Sequence, residues 1–223
     1  MSGRIQQIED FARQHMTDGE VAHDYKHVDR VRRNALYIAQ HEGYTNLDCV
    51  QAAALMHDVA LAHMDDRRNH GKVGAEMAEQ FMEEHQLFTS DEISEITHAI
   101  HWHDSVKQDD SLLLAILRDA DMLEIFGAVG LMRGMMFGST LPEDYDPANI
   151  RGETWSMTAR DFDARFAEGK RTGPTLVDHL NFQISCYDNL NTETAKQLAL
   201  PLIDFMRSYV NQLVREIEGS DSI

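Results

Sequence analysis

Apolar residues recur at every third or fourth position through most of this chain, the spacing that places them on one face of an α-helix. No run alternates apolar and polar residues as a half-buried β-strand would, and no Asn-Gly hairpin turn occurs. The predicted helices cover residues 4–15, 27–41 and 46–59, begin near residues 70, 90 and 111, and continue at 158–167 and, with a break at Pro201, over 175–216. The sequence therefore predicts an all-α fold.

Two predicted boundaries depend on particular residues. The four residues at 89–92 (TSDE) have the form of a capping box and predict the start of the fifth helix. The sixth predicted helix carries its apolar face as far as Ala128, and the segment after Gly134 is predicted to be rich in loops.

The predicted helix at 46–59 is apolar on nearly every side, which is typical of an element surrounded by other helices. It ends with His57 and Asp58, and apolar residues stand directly before and after this pair. Two ionisable side chains are therefore carried into the interior, where each needs a partner. A metal ion suits both a carboxylate and an imidazole.

Further ionisable residues occupy core-facing positions of the other predicted helices. They are His27, His70, His103 and Asp121. A single inward histidine is more often a hydrogen-bonded core residue than a ligand, but burying several unpaired imidazoles and carboxylates together is prohibitive unless a cation lies between them. This mixture of donors suits Mn, Fe, Ni, Co or Zn better than Ca or Mg, which prefer oxygen ligands. The set predicts a divalent-metal site in the core.

Length and composition place these helices in one globule. The chain has 223 residues, 43% of them hydrophobic, with only 4 Pro and 13 Gly, which suffices for one sizeable core. We predict a single domain over residues 1–223, with a metal-binding core at about 20–137 and C-terminal helices at about 155–218 packed on it.

The net charge limits the classes of binding partner, and the cysteine content indicates the cellular compartment. A net charge of −18 argues against a long nucleic acid, whereas a small phosphorylated ligand stays compatible because a metal and a few cations act at short range. Cys49 and Cys186 lie far apart in apolar helical patterns, which predicts buried thiols in a reducing compartment. No signal-peptide core and no run near the roughly 20 apolar residues of a membrane span occurs. We therefore expect a cytoplasmic protein without membrane association.

The order of His27, the pair His57-Asp58 and then Asp121 resembles the HD-domain superfamily of metal-dependent phosphohydrolases. Residues 23–31 (HDYKHVDRV) resemble the opening motif of a bacterial branch that includes nucleotide pyrophosphohydrolases, and 119–123 (DADML) resemble its closing motif. Residues 127–130 (GAVG) with Arg133, and 191–196 (NTETAK), extend the similarity over most of the chain. Two departures concern the substrate: 59–63 lack the acidic and lysine residues expected there, and Gln183 stands in place of a lysine.

The resemblance implies an HD-domain helical bundle with a metal site at its centre, held by His27, His57, Asp58 and Asp121. The bound cation would supply hydroxide at neutral pH, and Asp58 would also orient the water. His70 and His103 are candidate catalytic residues: they either contact the substrate phosphate as donors or as a general acid, or hold a second metal ion. Manganese is the favoured metal.

Binding a negatively charged phosphate substrate also requires cationic side chains. Arg30 lies one turn after His27, Lys72 two residues after His70, and Arg133 beyond the sixth predicted helix. Each by itself could be an ordinary surface cation, but together we favour them as the substrate-binding group.

The preferred function is a metal-dependent phosphohydrolase of nucleotides or related small phosphate esters, with pyrophosphohydrolysis of nucleoside triphosphates as the leading reaction. One alternative is an HD-type di-iron oxygenase, which predicts two irons per chain and oxygen consumption. Another is a non-catalytic small-molecule sensor, which predicts binding without turnover. A homodimer is left open.

Overall fold

The computed structural model describes residues 3–16, 24–64, 67–105, 109–138, 141 and 143–219, and these residues fold into α-helices joined by turns, with no β-strand among them. The helices are α1 (Gly3–His15), α2 (Tyr25–His41), α3 (Leu47–Met56), α4 (His70–Glu84), α5 (Ser90–Trp102), α6 (Leu112–Met122), α7 (Gly127–Gly138), α8 (Ala159–Ala167), α9 (Leu176–Ser185) and α10 (Glu193–Glu218). The all-α prediction is confirmed.

Side-chain caps explain several helix starts. The carboxylate of Asp24 accepts a hydrogen bond from the backbone N–H of His27 at 2.9 Å, so α2 begins at Tyr25 and carries the first candidate ligand in its first turn. The predicted capping box of α5 is present: the Thr89 hydroxyl accepts from the Glu92 N–H, and the Glu92 carboxylate accepts from the Thr89 N–H. Residue 23, which precedes Asp24 in the opening motif, lies outside the described residues.

Replacing Thr89 by alanine should lower the free energy of unfolding by about 1 kcal/mol, because the first turn of α5 loses its side-chain acceptor. Thermal and urea unfolding would measure the change. Ser94 is exposed in the middle of the same helix, so Ser94→Ala should shift stability by no more than about 0.5 kcal/mol. Equal effects of the two substitutions would contradict a role for the cap.

The sixth helix ends at Met122 rather than continuing to Ala128, so the predicted single apolar face to Ala128 is wrong. A turn of 3₁₀-helix follows, and then Gly127 adopts φ +66°, a conformation that side chains other than glycine rarely adopt. The chain folds back so tightly that a Cβ on Gly130 would clash with the carbonyl oxygen of Ile125. The break leaves Asp121 in the last turn of α6 and makes α7 a separate helix extending to Gly138.

The predicted break at Pro201 is also wrong, because Pro201 lies inside α10. Its ring is exposed, while Ala199 and Ile203 on either side of it are buried and hold the helix against its neighbours. A proline removes only one backbone donor, so packing can keep the helix continuous. The interruption comes earlier, at Thr192, whose hydroxyl accepts from the N–H of Ala195 and caps the start of α10.

The contacts divide the chain into two compact units: Met1–Asp121 with Asn191–Ala195, and Met122–Leu190 with Lys196–Ile223. In the first unit α3 is the central helix, because it packs against α1, α2, α4 and α5 and seven of its ten residues are buried. In the second unit α7 and α8 both pack on α9. The single domain over 1–223 stays a prediction.

A buried carboxylate joins the segment Asn191–Ala195 to the rest of the first unit. Asp119, on α6, is fully buried and accepts four hydrogen bonds: from the backbone N–H and side-chain amide of Asn191, and from the backbone N–H and hydroxyl of Thr192, at 2.6–2.8 Å. Two segments that resemble family motifs and lie about 70 residues apart in sequence are therefore bonded to each other.

Both cysteines, Cys49 and Cys186, are free and buried, as predicted. Within the described ranges, no helix combines the length and the apolar character that crossing a bilayer requires.

Candidate metal centre

Three helices of the first unit bring the four predicted metal ligands together. His27 projects from the first turn of α2, His57 is the C-cap of α3 with Asp58 next to it, and Asp121 projects from the last turn of α6. His27 Nε2 lies 3.3 Å from Asp121 Oδ1 and 3.6 Å from Asp58 Oδ2, and His57 Nε2 lies 3.4 Å from Asp58 Oδ2. Two histidine nitrogens and two carboxylates thus face one small volume.

The orientation of His57 identifies the atom that it offers. Its Nδ1 donates a hydrogen bond to the carbonyl oxygen of Ala54 at 2.8 Å. Because a carbonyl oxygen only accepts, Nδ1 carries the proton and Nε2 presents a lone pair. This Nε2 is buried and has no hydrogen-bond partner among the described residues. A buried acceptor of this kind is costly unless a proton or a cation reaches it, so the donor set fits a divalent metal.

The protonation states of the donors also suit a metal. Burial lowers the pKa of His57 to about 4, although Asp58 and Asp121 oppose the shift, so the imidazole is neutral at pH 7. Burial raises the pKa of Asp121, but the hydrogen bond from His27 and the neighbouring imidazoles outweigh it and hold that pKa well below its usual value. A neutral imidazole beside an ionised carboxylate is the ligand form of both groups.

His70, at the start of α4, and His103, the C-cap of α5, meet on the other side of Asp58. Asp58 Oδ1 lies 3.5 Å from His70 Nε2 and 3.7 Å from His103 Nε2, whereas its Oδ2 faces the first two histidines. One carboxylate therefore stands between two pairs of imidazoles.

The two imidazoles of this second pair are held in the same way as His57. His103 Nδ1 donates to the carbonyl of Ile100 at 2.7 Å, and His70 Nδ1 donates to the carbonyl of Arg67 at 2.8 Å. Their Nε2 atoms then face each other at 3.1 Å. Two lone pairs at that distance repel unless a proton or a cation lies between them. Burial lowers the pKa of His103, but its bond and charge interaction with Asp58 outweigh burial and raise that pKa, which favours a proton.

Two residues near this pair were not among the predicted site residues. Asp104 Oδ2 lies 3.2 Å from His70 Nδ1. Arg118 Nη2 donates to the carbonyl oxygens of Trp102 and Ser105, at the end of the helix that His103 caps. Asp104 follows directly after a core-facing histidine, and that adjacency was the only signal in the sequence that could have found it.

The three predicted substrate cations have different surroundings. Arg30 is half-buried on α2, one turn after His27. Lys72 is 62% exposed, pairs with Glu76 at 4.0 Å and lines a groove of about 300 Å³ between α4 and α5 that also contains Trp102. Arg133 belongs to the second unit, where its guanidinium donates to the backbone carbonyl and carboxylate of Glu124.

Comparison with known proteins found a matching family and several similar proteins. Residues 24–125, which contain all six clustered residues, match the HD domain family. Uncharacterized protein YpgQ of Bacillus subtilis is 27% identical, in an alignment that covers 98% of this chain and 96% of YpgQ. A structure from Lactobacillus plantarum is 26% identical, covers 99% of both chains and superposes with a TM-score of 0.70.

Two further solved structures share the fold. An HD-superfamily hydrolase from Bacillus thuringiensis is 23% identical, with coverage of 97% of this chain and 98% of that one and a TM-score of 0.71. A structure of YpgQ in complex with ADP is 23% identical in the structural alignment, with coverage of 98% and 97% and a TM-score of 0.62.

Proposed function

We propose that this chain, whose residues 24–125 match the HD domain family, is a metal-dependent phosphohydrolase of nucleotides or related small phosphate esters. The observation that carries the proposal is the arrangement around Asp58. One of its oxygens faces His27 and His57, and the other faces His70 and His103. A metal-dependent phosphohydrolase needs metal ligands next to residues that donate hydrogen bonds to the phosphate. The histidines on the two sides of Asp58 could supply these two groups.

The cation would be held by His27, His57, Asp58 and Asp121. When bound, a divalent metal lowers the pKa of a water molecule toward neutrality and polarises a phosphoryl oxygen. Manganese, iron, nickel, cobalt or zinc suits the mixed donors, and manganese is our first choice.

The remaining groups would act on the water and on the substrate. Asp58 Oδ1 points away from the proposed ligand side, so it can accept a hydrogen bond from the attacking water and orient it. His70 and His103 would each donate from Nε2 to a phosphoryl oxygen in the imidazolium form, in which both ring nitrogens carry a proton, and a phosphoryl group bonded to both would lie between the two facing nitrogens. Arg30, Lys72 and Arg133 remain the proposed cations for the rest of the phosphate chain.

A nucleotide substrate is supported by the complex of YpgQ with ADP, because YpgQ is 27% identical along nearly the whole of both chains. Within this class we propose hydrolysis of nucleoside triphosphates to monophosphate and pyrophosphate, on the resemblance of residues 23–31 and 119–123 to the pyrophosphohydrolase branch.

The test is a substrate screen on the purified protein after its metals have been measured. Nucleoside mono-, di- and triphosphates are incubated with Mn, Mg, Co or Ni, and phosphate and pyrophosphate are assayed separately. We expect pyrophosphate from triphosphates, with the highest rate in Mn, and no turnover after chelation. Two irons per chain with oxygen consumption would instead indicate an oxygenase, and tight nucleotide binding without turnover in any metal would indicate a sensor.

A further inference from the structure

Helices α4 and α5 touch backbone to backbone beside the second histidine pair. A Cβ on Gly71, the second residue of α4, would lie 2.8 Å from the carbonyl oxygen of His101 and 3.0 Å from that of Ile100. Ordinary contact begins at 3.4 Å, so glycine is the residue that permits this approach. The obstructing atoms belong to the backbone and cannot rotate away, so any side chain here must push the two helices apart.

This contact is coupled to the spacing of the two imidazoles. His70 is the residue before Gly71, and His103 follows His101 by two residues. Both rings are tied through Nδ1 to carbonyls of their own segments, so each ring follows its own backbone when the helices move. The separation of 3.1 Å between their Nε2 atoms therefore depends on how closely α4 approaches α5.

Asp104 also contributes to the crossing of α4 and α5. Its Oδ2 lies 3.2 Å from His70 Nδ1, and its Oδ1 would lie 3.3 Å from a Cβ on Gly71. The N-cap of α4, Asn69, provides no side-chain cap, so a carboxylate from the end of α5 stands at an otherwise uncapped helix start. The N-terminal end of a helix dipole attracts a negative charge at this place.

We propose that Gly71 and Asp104 are positioning residues that hold His70 and His103 at the separation at which both can bond the same phosphoryl group. The inference rests on the proposed phosphohydrolase function and adds to it two residues that lie outside the proposed metal ligands. Each is assigned to act through the crossing of α4 and α5.

The test compares Gly71→Ala with Gly74→Ala. Both glycines are buried in α4 and both substitutions introduce one Cβ, but a Cβ on Gly74 meets nothing closer than 3.4 Å. We expect kcat of Gly71→Ala to fall by about 10- to 100-fold, while KM and bound metal stay near wild type, because reacting groups displaced by a fraction of an ångström lose alignment. Gly74→Ala should keep kcat within about twofold of wild type.

Asp104→Asn provides a second variant in case Gly71→Ala does not fold. Asp109, whose carboxylate lies 2.9 Å from His98 Nε2, forms another aspartate-histidine pair and supplies the control Asp109→Asn. We expect about a tenfold loss of kcat for Asp104→Asn, as for other residues that orient a functional histidine, and none for Asp109→Asn. Wild-type kcat in Asp104→Asn, or equal losses in the two glycine variants, would overturn the inference.

A measurement without substrate separates this inference from the proposed function. The ¹⁵N ring signals of His70 and His103, recorded at one fixed pH, should shift in Gly71→Ala and Asp104→Asn and stay in place in Gly74→Ala. If wild type hydrolyses no phosphate ester, the proposed function fails, and these signals still decide whether the crossing sets the imidazole pair. If the ring signals are unchanged in both Gly71→Ala and Asp104→Asn, the inference that these residues position the two histidines is refuted.

Discussion

His57→Ala and Asp58→Ala should each reduce turnover by at least about a thousandfold, because a metal-bound water and phosphoryl oxygen contribute several kcal/mol to transition-state stabilisation. His57 offers a neutral, buried Nε2, and Asp58 offers the oxygen that faces both His27 and His57. Removing either should therefore also lower the amount of metal that copurifies with the protein. Metal analysis and steady-state kinetics on the same samples would measure both effects.

Helical content should be largely retained in both variants, since α3 ends before His57 and its seven buried residues are untouched. His41→Ala is the matched control, because His41 is an exposed histidine whose Nδ1 also donates to a backbone carbonyl, that of Tyr37. It should keep wild-type kcat and metal content. Activity that survives both His57→Ala and Asp58→Ala would show that the assigned site is wrong.

Asp119→Ala should lower the free energy of unfolding by about 3–5 kcal/mol, the largest stability effect we expect for a single residue here. Its carboxylate is fully buried and accepts four hydrogen bonds, two of them from backbone N–H groups that no alanine can satisfy. Urea unfolding followed by circular dichroism would measure the loss.

Two other substitutions test the cause of that loss. Asp119→Asn retains the shape but presents an N–H₂ group toward donors, so it should lie between wild type and Asp119→Ala. Asp204 is an exposed aspartate on α10, and Asp204→Ala should change stability by no more than about 0.5 kcal/mol. A loss below about 1 kcal/mol for Asp119→Ala would mean that water replaces the carboxylate at Asn191 and Thr192.

The helix assignments were accessible from the sequence wherever local chemistry decides them. The apolar period and the capping box at Thr89 and Glu92 act within one or two turns, and the structure has the start of α5 where they indicate. The end of α6 and the continuity of α10 were not accessible, because a backbone reversal at Gly127 and the packing on both sides of Pro201 override the local pattern.

The sequence by itself determined that this chain is helical and that imidazoles and carboxylates occupy inward positions of several helices, because both properties follow from the period of one helix. Only the tertiary structure decided which atoms meet. It turns the two oxygens of Asp58 toward different histidine pairs, brings His70 and His103 within 3.1 Å at a glycine crossing, and bonds Asp119 to Asn191 and Thr192. Distances of this kind depend on how separate helices pack, and a helical period carries no information about its neighbours.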